Sequence, residues 1–329
     1  MGRLGKTAAL FAAVGLTFAN AAQAASNTDP AAGYPSRPIR IIVGFPPGSG
    51  TDILARFVGA RLTERVGQQV VVDNRSGANG IIAAELTAKA APDGHTLQFM
   101  STSHTMNAAV YKLPFDAVKS FTPVGMLASG ALVLVTHPSF PATTVKNLID
   151  LAKAKPNTIS YAVSGTGGIN HFAGASFSRM AGIQLLDVPY RGGPQALTDL
   201  IAGQVQIMIA TLAITHRQVK AGKLKALGVS TTKRATQLPE VPTIAESGVP
   251  GYSMSTWWGV LAPAGVPNAI VAKINRETAV VLTQSEAIQR LENDGAEATP
   301  MPSAEFARVL ASEVEKWRRV ARESNIKAE

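Results

Sequence analysis

The sequence predicts an α/β protein with two lobes, each built on a parallel-rich sheet flanked by helices. Two observations predict this fold class. The order strand, loop, helix, strand, loop, helix, strand occurs twice along the chain, and each copy carries a glycine-rich loop after its first strand. Strands that alternate with helices at this spacing are typical of parallel sheets with right-handed crossovers. The 329 residues are enough for two domains.

The first copy begins with the apolar run IRIIVGF (39–45) and the loop PPGSGTD (46–52). Leu54, Val58 and Leu62 then recur at helical spacing. The strand QQVVVDN, the loop RSGANG, the helix IIAAELTAKA and the strand HTLQFMS complete the copy.

The second copy begins with TISYAVSGTGGIN (158–170), followed by a predicted helix from about His171 to Met180. The strand IQLLDVPY, the loop RGGPQ, the helix ALTDLIAG and the strand QVQIMIAT come next. Sequence identity between the copies is slight, so they correspond in pattern only.

Two apolar runs are candidates for the strands that connect the lobes, VLV (133–135) and WWGVL (257–261). We therefore assign residues 25–132 and 254–329 to the first domain and residues 133–253 to the second. Two chain crossings of this kind form a hinge. The carboxyl ends of both sheets then face a common cleft, which is where open α/β sheets bind ligands.

The first 24 residues have the features of a secretory signal peptide. Arg3 and Lys6 precede a short apolar stretch that ends in Ala22-Gln23-Ala24, a small-x-small cleavage site. The alternative is a membrane anchor, but the stretch is short for a span and no stop-transfer charges follow it. We expect export to the periplasm, cleavage after Ala24, and a mature chain that is not inserted in the membrane.

The composition argues against several other classes of protein. The chain has no cysteine, which fits a bacterial periplasmic protein better than a small disulfide scaffold. Its net charge is +9, or +7 after the two signal-peptide cations are removed, and the basic residues are scattered. Nucleic-acid binding is therefore not expected, whereas a mild positive field favours small anions. We expect a monomer without a cofactor.

Each glycine-rich loop precedes a helix, so each offers backbone N–H groups to an anion. In PPGSGTD, Gly48 and Gly50 allow close approach, Ser49 and Thr51 add hydroxyl groups, and Asp52 is expected to cap the helix. SGTGGIN offers similar groups. Neither loop is a nucleotide motif, since the Lys of a P-loop and the last Gly of a dinucleotide fingerprint are absent. An ordinary turn is the alternative for each loop.

Seven segments, taken in order, carry a family resemblance: YPSRPIRIIVGFPPGSGTD, VVVDNRSGANG, KAAPDGHTL, VPYRGGPQALTDLIAGQV, KAGKLKALGVSTTKR, LPEVPTIAESGVPGY and WWGVLAPAGVP. They extend over nearly all of the chain after the signal peptide. The chain resembles the tripartite tricarboxylate transporter substrate-binding family, also called Bug or TctC-like proteins. The resemblance implies a type II-like, two-lobed periplasmic binding protein. Such a protein closes over an organic carboxylate and delivers it to a small and a large membrane subunit.

By this resemblance, residues 48–52 and 164–168 are where ligand carboxylates meet amides and bridging waters. We expect binding there and at adjoining strand ends, by Phe45, Pro47, Gly48, Ser49, Gly50, Thr51, Asp52, Ser101, Ser103, His104, Ser164, Gly165, Thr166, Gly167, Gly168, His171, Tyr190, Arg191, Ala210 and Thr211. The two histidines would hydrogen-bond a second carboxylate, and Arg191 would be a cation in the cleft. A structural role for each histidine and a surface position for Arg191 are the alternatives.

Three departures from the family pattern bear on the ligand. Ser49 replaces a usual Gly, Ser76 replaces a usual Pro, and Gln206 and Ala210 replace residues that are frequently acidic. A ligand ammonium would need a carboxylate partner, because an unpaired buried charge is costly. The sequence therefore favours a simple or aromatic carboxylate, with one or two carboxyl groups and no amine, over an amino acid.

Catalysis is not expected from this sequence. It contains no GxSxG elbow, and its five histidines lack the spacing of metal ligands. Two alternative functions stay open: a ligand-presenting sensor subunit in the periplasm, and a periplasmic enzyme that acts on a similar acid.

Overall fold

A computed structural model describes residues 31–165, 167–293, 295–324 and 326. The predicted signal peptide lies outside these residues. The strands are β1 (Ile39–Val43), β2 (Val70–Asn74), β3 (Thr96–Ser101), β4 (Phe121–Thr136), β5 (Ser160–Val163), β6 (Leu186–Pro189), β7 (Ile207–Thr211), β8 (Lys225–Val229), β9 (Ser255–Pro263) and β10 (Ala296–Met301). The helices are α1 (Gly50–Val66), α2 (Ile81–Ala88), α3 (Ser103–Val110), α4 (Val145–Ala154), α5 (Ile169–Ala181), α6 (Gly193–Ile201), α7 (Leu212–Lys220), α8 (Asn268–Leu282), α9 (Ser285–Asn293) and α10 (Ser303–Glu323).

The long strand β4 belongs to both lobes. Its residues 121–131 pair with β9 in the first lobe, and residues 132–136 pair with β7 and β8 in the second. The strand order is β2-β1-β3-β9-β4-β7-β5-β6, with β8 and β10 as further partners of β4. The predicted crossing at 133–135 is therefore the second part of one continuous strand.

The two-lobed α/β fold is confirmed, and its sheet is mixed. The outer pairs β1–β2, β1–β3, β5–β6 and β5–β7 are parallel, as the alternation of strands and helices predicts. The inner strands β4 and β9 run antiparallel to each other and to their other neighbours. They carry the chain out of the first lobe and back into it, so their directions follow from that route and not from a βαβ crossover.

Each lobe has its own apolar core. In the first, Ile39, Ile41 and Val43 of β1 pack with Leu54 and Val58, which lie one turn apart on α1. In the second, Phe172 and Phe177 of α5 pack against strands β4, β5 and β7. Full burial of each such side chain contributes about 1.5–3 kcal/mol.

The last helix, α10, contacts both cores. Phe306 and Leu310 pack with Trp257 of the first lobe, whereas Trp317 and Ala321 pack with Phe172 of the second. The predicted first domain (25–132 and 254–329) stays a proposal, to which the structure adds α10 as a further link between the lobes.

Within the described part of the chain, no helix combines the length and apolar character needed to cross a bilayer.

Replacing Trp317 by Ala should destabilise the protein by about 3–5 kcal/mol, because a large buried ring is lost from the contact between α10 and the second lobe. Trp317 is 2% exposed, and its ring centroid lies 5.3 Å from that of Phe172. Urea unfolding measures the change. Trp317→Phe keeps an aromatic ring and serves as the control; a loss below about 1 kcal/mol in Trp317→Ala would show that this contact is dispensable.

Candidate functional site

A cleft lies between the two lobes at the carboxyl ends of β1, β3, β5 and β7. It is lined by Phe45, Ser49, Gly50, Thr51, Asn79, Ser101, Ser103, Ser164, Ile169, Asn170, Gly193, Thr211, Ile214, Thr256 and Trp258.

Five helices begin at this cleft: α1, α3, α5, α6 and α7. Their first or capping residues belong to its lining, namely Gly50, Ser103, Ile169, Gly193 and Thr211. The first N–H groups of a helix have no intrahelical acceptor, and each N-terminus carries a partial charge of about +0.5. The five termini together therefore place a partial positive charge of about 2.5 at the cleft.

The described residues that line the cleft have no charged side chain, since none is Asp, Glu, Lys or Arg. The described residues also contain no group of three or more His, Asp or Glu able to hold a metal ion. The groups that can meet an anion are thus backbone amides and neutral side chains.

Ser49, and not Asp52, caps α1. The Ser49 Oγ accepts the N–H of Asp52 at 3.3 Å, while the Asp52 carboxylate accepts the N–H of Gly48 at 2.9 Å. The expectation that Asp52 accepts the amides that follow it is wrong, because the helix begins at Gly50 and Asp52 lies inside its first turn. This reciprocal pair fixes the shape of the first glycine loop.

Asp52 is engaged within the first lobe. Its carboxylate also accepts a hydrogen bond from Asn74 Nδ2 at 2.8 Å and pairs with Arg56 Nε at 3.0 Å. Burial alone would raise the pKa of Asp52, but the hydrogen bonds from Gly48, Arg56 and Asn74 outweigh it and hold the pKa below its usual value. This carboxylate therefore stays ionised, and its hydrogen bonds are made within the first lobe.

In the second glycine loop, the hydroxyl of Ser164 donates its hydrogen bond to another residue of the protein. Its Oγ donates to Asn170 Oδ1 at 2.5 Å, and Asn170 Nδ2 donates to the carbonyl of Ile209. The hydroxyl of Ser164 can therefore only accept a hydrogen bond from a ligand. Thr166, another predicted ligand residue, lies outside the described residues.

His171 holds the second glycine loop in place by a hydrogen bond to its backbone. Its Nδ1 accepts the N–H of Gly167 at 3.0 Å, and its Nε2 lies 3.6 Å from Asp187 Oδ2. Burial lowers the pKa of His171, although Asp187 acts in the opposite direction. A neutral ring is also what the Gly167 bond requires, because Nδ1 must keep a lone pair.

His104 lies in the core of the first lobe and does not line the cleft. It is 5% exposed, its Nε2 is 2.9 Å from the carbonyl of Ala117, and its ring packs on Phe115 and Phe121. Burial lowers its pKa to about 4. Its position favours the structural alternative over a ligand contact, because the ring points into the core rather than to the strand's outer edge.

Other predicted residues lie beside the cleft without lining it. Ala210 is fully buried in a core cluster of the second lobe, and Arg191 and Pro47 are exposed. Burial and a hydrogen bond with Asp199 raise the pKa of Tyr190. Of the predicted set, the lining contains Phe45, Ser49, Gly50, Thr51, Ser101, Ser103, Ser164 and Thr211.

Glycines in the loops beside the cleft lie against the opposite lobe. A Cβ on Gly192 would lie 2.8 Å from Pro46 Cγ, and a Cβ on Gly168 would lie 2.8 Å from Asn79 Oδ1. Other glycines that face side chains of the opposite lobe are Gly50, Gly165 and Gly167. These glycines therefore allow the two lobes to approach closely, in addition to leaving backbone exposed toward the cleft.

Seven lining residues were not predicted from the sequence: Asn79, Ile169, Asn170, Gly193, Ile214, Thr256 and Trp258. Trp258 packs in the core of the first lobe at 1% exposure, and its Nε1 also donates to Thr51 Oγ1 at 3.2 Å. Asn79 has a φ of +51° in the loop after β2. That loop leaves the same sheet edge as the first glycine loop, which is the one sequence signal that could have indicated Asn79.

Comparisons with known proteins agree on one family. Residues 54–326 match the model of the tripartite tricarboxylate transporter family receptor. Protein BugT of Bordetella pertussis is 34% identical over 97% of this chain and 98% of its own. The structure is similar to that of R. palustris Rpa4515 with adipate, with a TM-score of 0.87, 36% identity and coverage of 89% and 99% of the two chains. MatC from Rhodopseudomonas palustris with bound malate has a TM-score of 0.83 at 30% identity, with coverage of 87% and 99%.

Gly192→Ala should weaken ligand binding by about 5- to 100-fold with little effect on unfolding. Gly192 has a φ of 172°, which any residue adopts, so the close contact of the added methyl is with Pro46 across the cleft, while Pro194 Cδ lies at an ordinary 3.9 Å. Calorimetry gives the affinity, and small-angle scattering should show a larger radius of gyration with ligand than in the wild type. Gly59→Ala, whose Cβ would have ordinary contacts at 3.5 Å within α1 and β2, is the control. Equal affinity in both variants would rule out the contact.

The buried His104 should make the protein less stable at acidic pH. Its folded pKa of about 4 lies below the usual value of 6.5, so the unfolded chain binds a proton first as the pH falls. The free energy of unfolding should therefore drop by about 2 kcal/mol from this residue between pH 7 and pH 5. Urea unfolding at both pH values should show a smaller drop for His104→Gln. An unchanged drop would mean that another group carries the effect.

Proposed function

Because the chain belongs to the tripartite tricarboxylate transporter receptor family, as its sequence resemblance implied, we propose that it captures a small organic carboxylate in the cleft between its lobes. It then delivers this ligand to the membrane subunits of a tripartite tricarboxylate-type transporter. The family consists of periplasmic binding proteins. Export, cleavage after Ala24 and a monomeric mature protein are parts of the same proposal.

The observation that carries the proposal is the convergence of five helix N-termini on one cleft whose described lining has no charged side chain. Charge-assisted hydrogen bonds from such N–H groups contribute about 1.5–3 kcal/mol each. Four or five of them are enough for micromolar binding, about −8 kcal/mol, after the costs of ordering and association. Two similar structures contain the ligands adipate and malate, which are carboxylates as well.

The lining also argues against ligands that carry an amine. An ammonium group would enter a cleft rich in donors and without a described acidic side chain, while the nearby Asp52 is occupied by Gly48, Asn74 and Arg56. A buried ammonium without an anionic partner is costly. We therefore propose monocarboxylates or dicarboxylates without an amine, aliphatic or aromatic, as the ligand class.

Apolar side chains leave room for the body of such a ligand. Phe45 of the first lobe and Ile169 and Ile214 of the second contribute to the lining, together with the ring of Trp258. Burial of a ligand's carbon skeleton against these groups adds about 25 cal/mol per Å² of apolar surface.

Two matched pairs of acids test the ligand class: succinate against aspartate, and glutarate against glutamate. Within each pair the ligands differ only by the amine. We expect succinate and glutarate to raise the melting temperature more, since a ligand at a hundred times its Kd adds about 2.7 kcal/mol of stability.

A thermal-shift screen followed by calorimetry gives both measurements. If aspartate or glutamate gives the larger shift in its pair, an acidic residue such as Asp187 must face the bound ligand and the amine-free class is wrong. If no carboxylate in a broad panel binds, carboxylate capture itself is wrong.

A further inference from the structure

We propose a second binding site behind the hinge, for a small α-amino acid whose binding strengthens carboxylate capture in the cleft. The site is a cavity of about 190 Å³, called here the hinge pocket, whose lining includes Ser129, Leu212, Lys233, Arg234, Ser255 and Glu297. Its effect on capture rests on the proposed function, whereas the binding of the amino acid does not.

The hinge pocket and the cleft lie on opposite faces of the crossing strands. Directly paired residues of a sheet share a face, and successive residues of a strand alternate between faces. Ala131 of β4 pairs with Ser255 of β9, and both line the hinge pocket, whereas the next residue, Thr256, lines the cleft. In the same way, Thr211 lines the cleft and Leu212 lines the hinge pocket. The sheet therefore separates the two sites.

Both lobes form the hinge pocket, so its width depends on the angle between them. Beside it, a Cβ on Gly295 of the first lobe would lie 2.8 Å from the carbonyl carbon of Leu212 of the second. The lobes are also close across the cleft, where a Cβ on Gly192 would lie 2.8 Å from Pro46 Cγ. A rotation about β4 and β9 that separated the lobes at the cleft would bring them together on the opposite face. The hinge pocket is therefore widest when the cleft is closed.

The hinge pocket has one available charge of each sign, and the two charges belong to different lobes. Lys233 lies in the loop after β8 of the second lobe, and Glu297 lies on β10 of the first. Neither side chain has an ion-pair partner among the residues that the structure describes. Arg234, by contrast, is held by Glu246, with Nε 3.1 Å from Oε2, and by the carbonyl of Pro239. Lys233 is thus the cation that can meet a ligand.

These two charges select a zwitterion. A simple carboxylate would lie near Glu297 and a simple amine near Lys233, and the like charge would oppose binding in each case. An α-amino acid offers its carboxylate to Lys233 and its ammonium to Glu297, beside the hydroxyl groups of Ser129 and Ser255. The size is suitable as well, because a cavity of about 150 Å³ accommodates benzene, which has as many heavy atoms as alanine.

An amino acid in the hinge pocket contacts both lobes in the arrangement that closes the cleft. It therefore stabilises this arrangement and raises the affinity of the cleft for a carboxylate. By linkage, the carboxylate raises the affinity of the hinge pocket for the amino acid by the same factor. The two ligands do not compete, since the lining of the cleft disfavours an amine and the hinge pocket requires one.

Calorimetry with L-alanine tests the hinge pocket. Lys233→Gln and Glu297→Gln should each weaken L-alanine binding about 5- to 20-fold. The double variant Lys233→Glu/Glu297→Lys exchanges the two charges and should recover most of this loss. Lys223→Gln removes an exposed charge of the same lobe outside the pocket and should have no effect. Lactate, which lacks the amine, and L-alaninol, which lacks the carboxylate, should show no binding that depends on Lys233 and Glu297 together.

Absence of L-alanine binding to the wild type, or equal affinity in the wild type and both single variants, would overturn the site. Lys233 and Glu297 are exposed, so these substitutions leave the cores intact, and circular dichroism checks the fold.

A second titration tests the coupling. The affinity for glutarate, or for succinate if it binds more tightly, should rise about 5-fold or more in saturating L-alanine, and this rise should vanish in Glu297→Gln. An unchanged affinity would overturn the coupling, and a lower one would show that L-alanine competes in the cleft and would overturn the proposal. If no carboxylate binds, the proposed function fails, while the L-alanine titrations still decide whether the hinge pocket is a site.

Discussion

The direction of the strands determines the chemistry of this protein. The outer strands of both sheets are parallel and end at one edge, so the helices that follow them begin there and point their unpaired N–H groups into a common space. The positive field of the cleft comes from this topology and from no single side chain. This field does not depend on individual surface residues. It requires that the two lobes face each other with the sheet edges at which these helices begin.

A site made of amides and hydroxyl groups binds carboxylates as a class, because an N–H donor responds to the charge and position of the acceptor oxygen and not to the rest of the ligand. Discrimination between ligands must then come from neutral side chains and from the shape of the wall, such as the serine hydroxyls of the β3–α3 turn and the ring of Phe45. Asp52 contributes indirectly: it is ionised, but it is tied to Gly48, Asn74 and Arg56 and so shapes the loop instead of repelling the ligand.

The features that could be predicted from the sequence are those that local chemistry decides. The strands, the glycine loops and the start of α1 follow from periodicity and from glycine beside a helix start, and eight of the predicted residues line the cleft. Asn79, Trp258 and His104 could not be placed in this way. Whether each faces the cleft or the core depends on which strand lies beside it, and β9 joins its neighbours from a distant part of the chain. The path of the chain out of the first lobe and back into it also explains why the antiparallel inner strands were not predicted.

The glycines show why binding and closure cannot be separated in this fold. From the sequence alone, a glycine before a helix indicates space for an anion, and Gly50 at the start of α1 does line the cleft. A Cβ on Gly50 would lie 3.1 Å from Thr211 Oγ1 of the opposite lobe, and a Cβ on Gly168 of the second glycine loop would lie 2.8 Å from Asn79 Oδ1. The loops proposed to bind the carboxylate are therefore also those at which the lobes meet. A ligand that draws the two sets of N–H groups together stabilises the closed arrangement through its own charge, and no separate latch is needed to couple capture to closure.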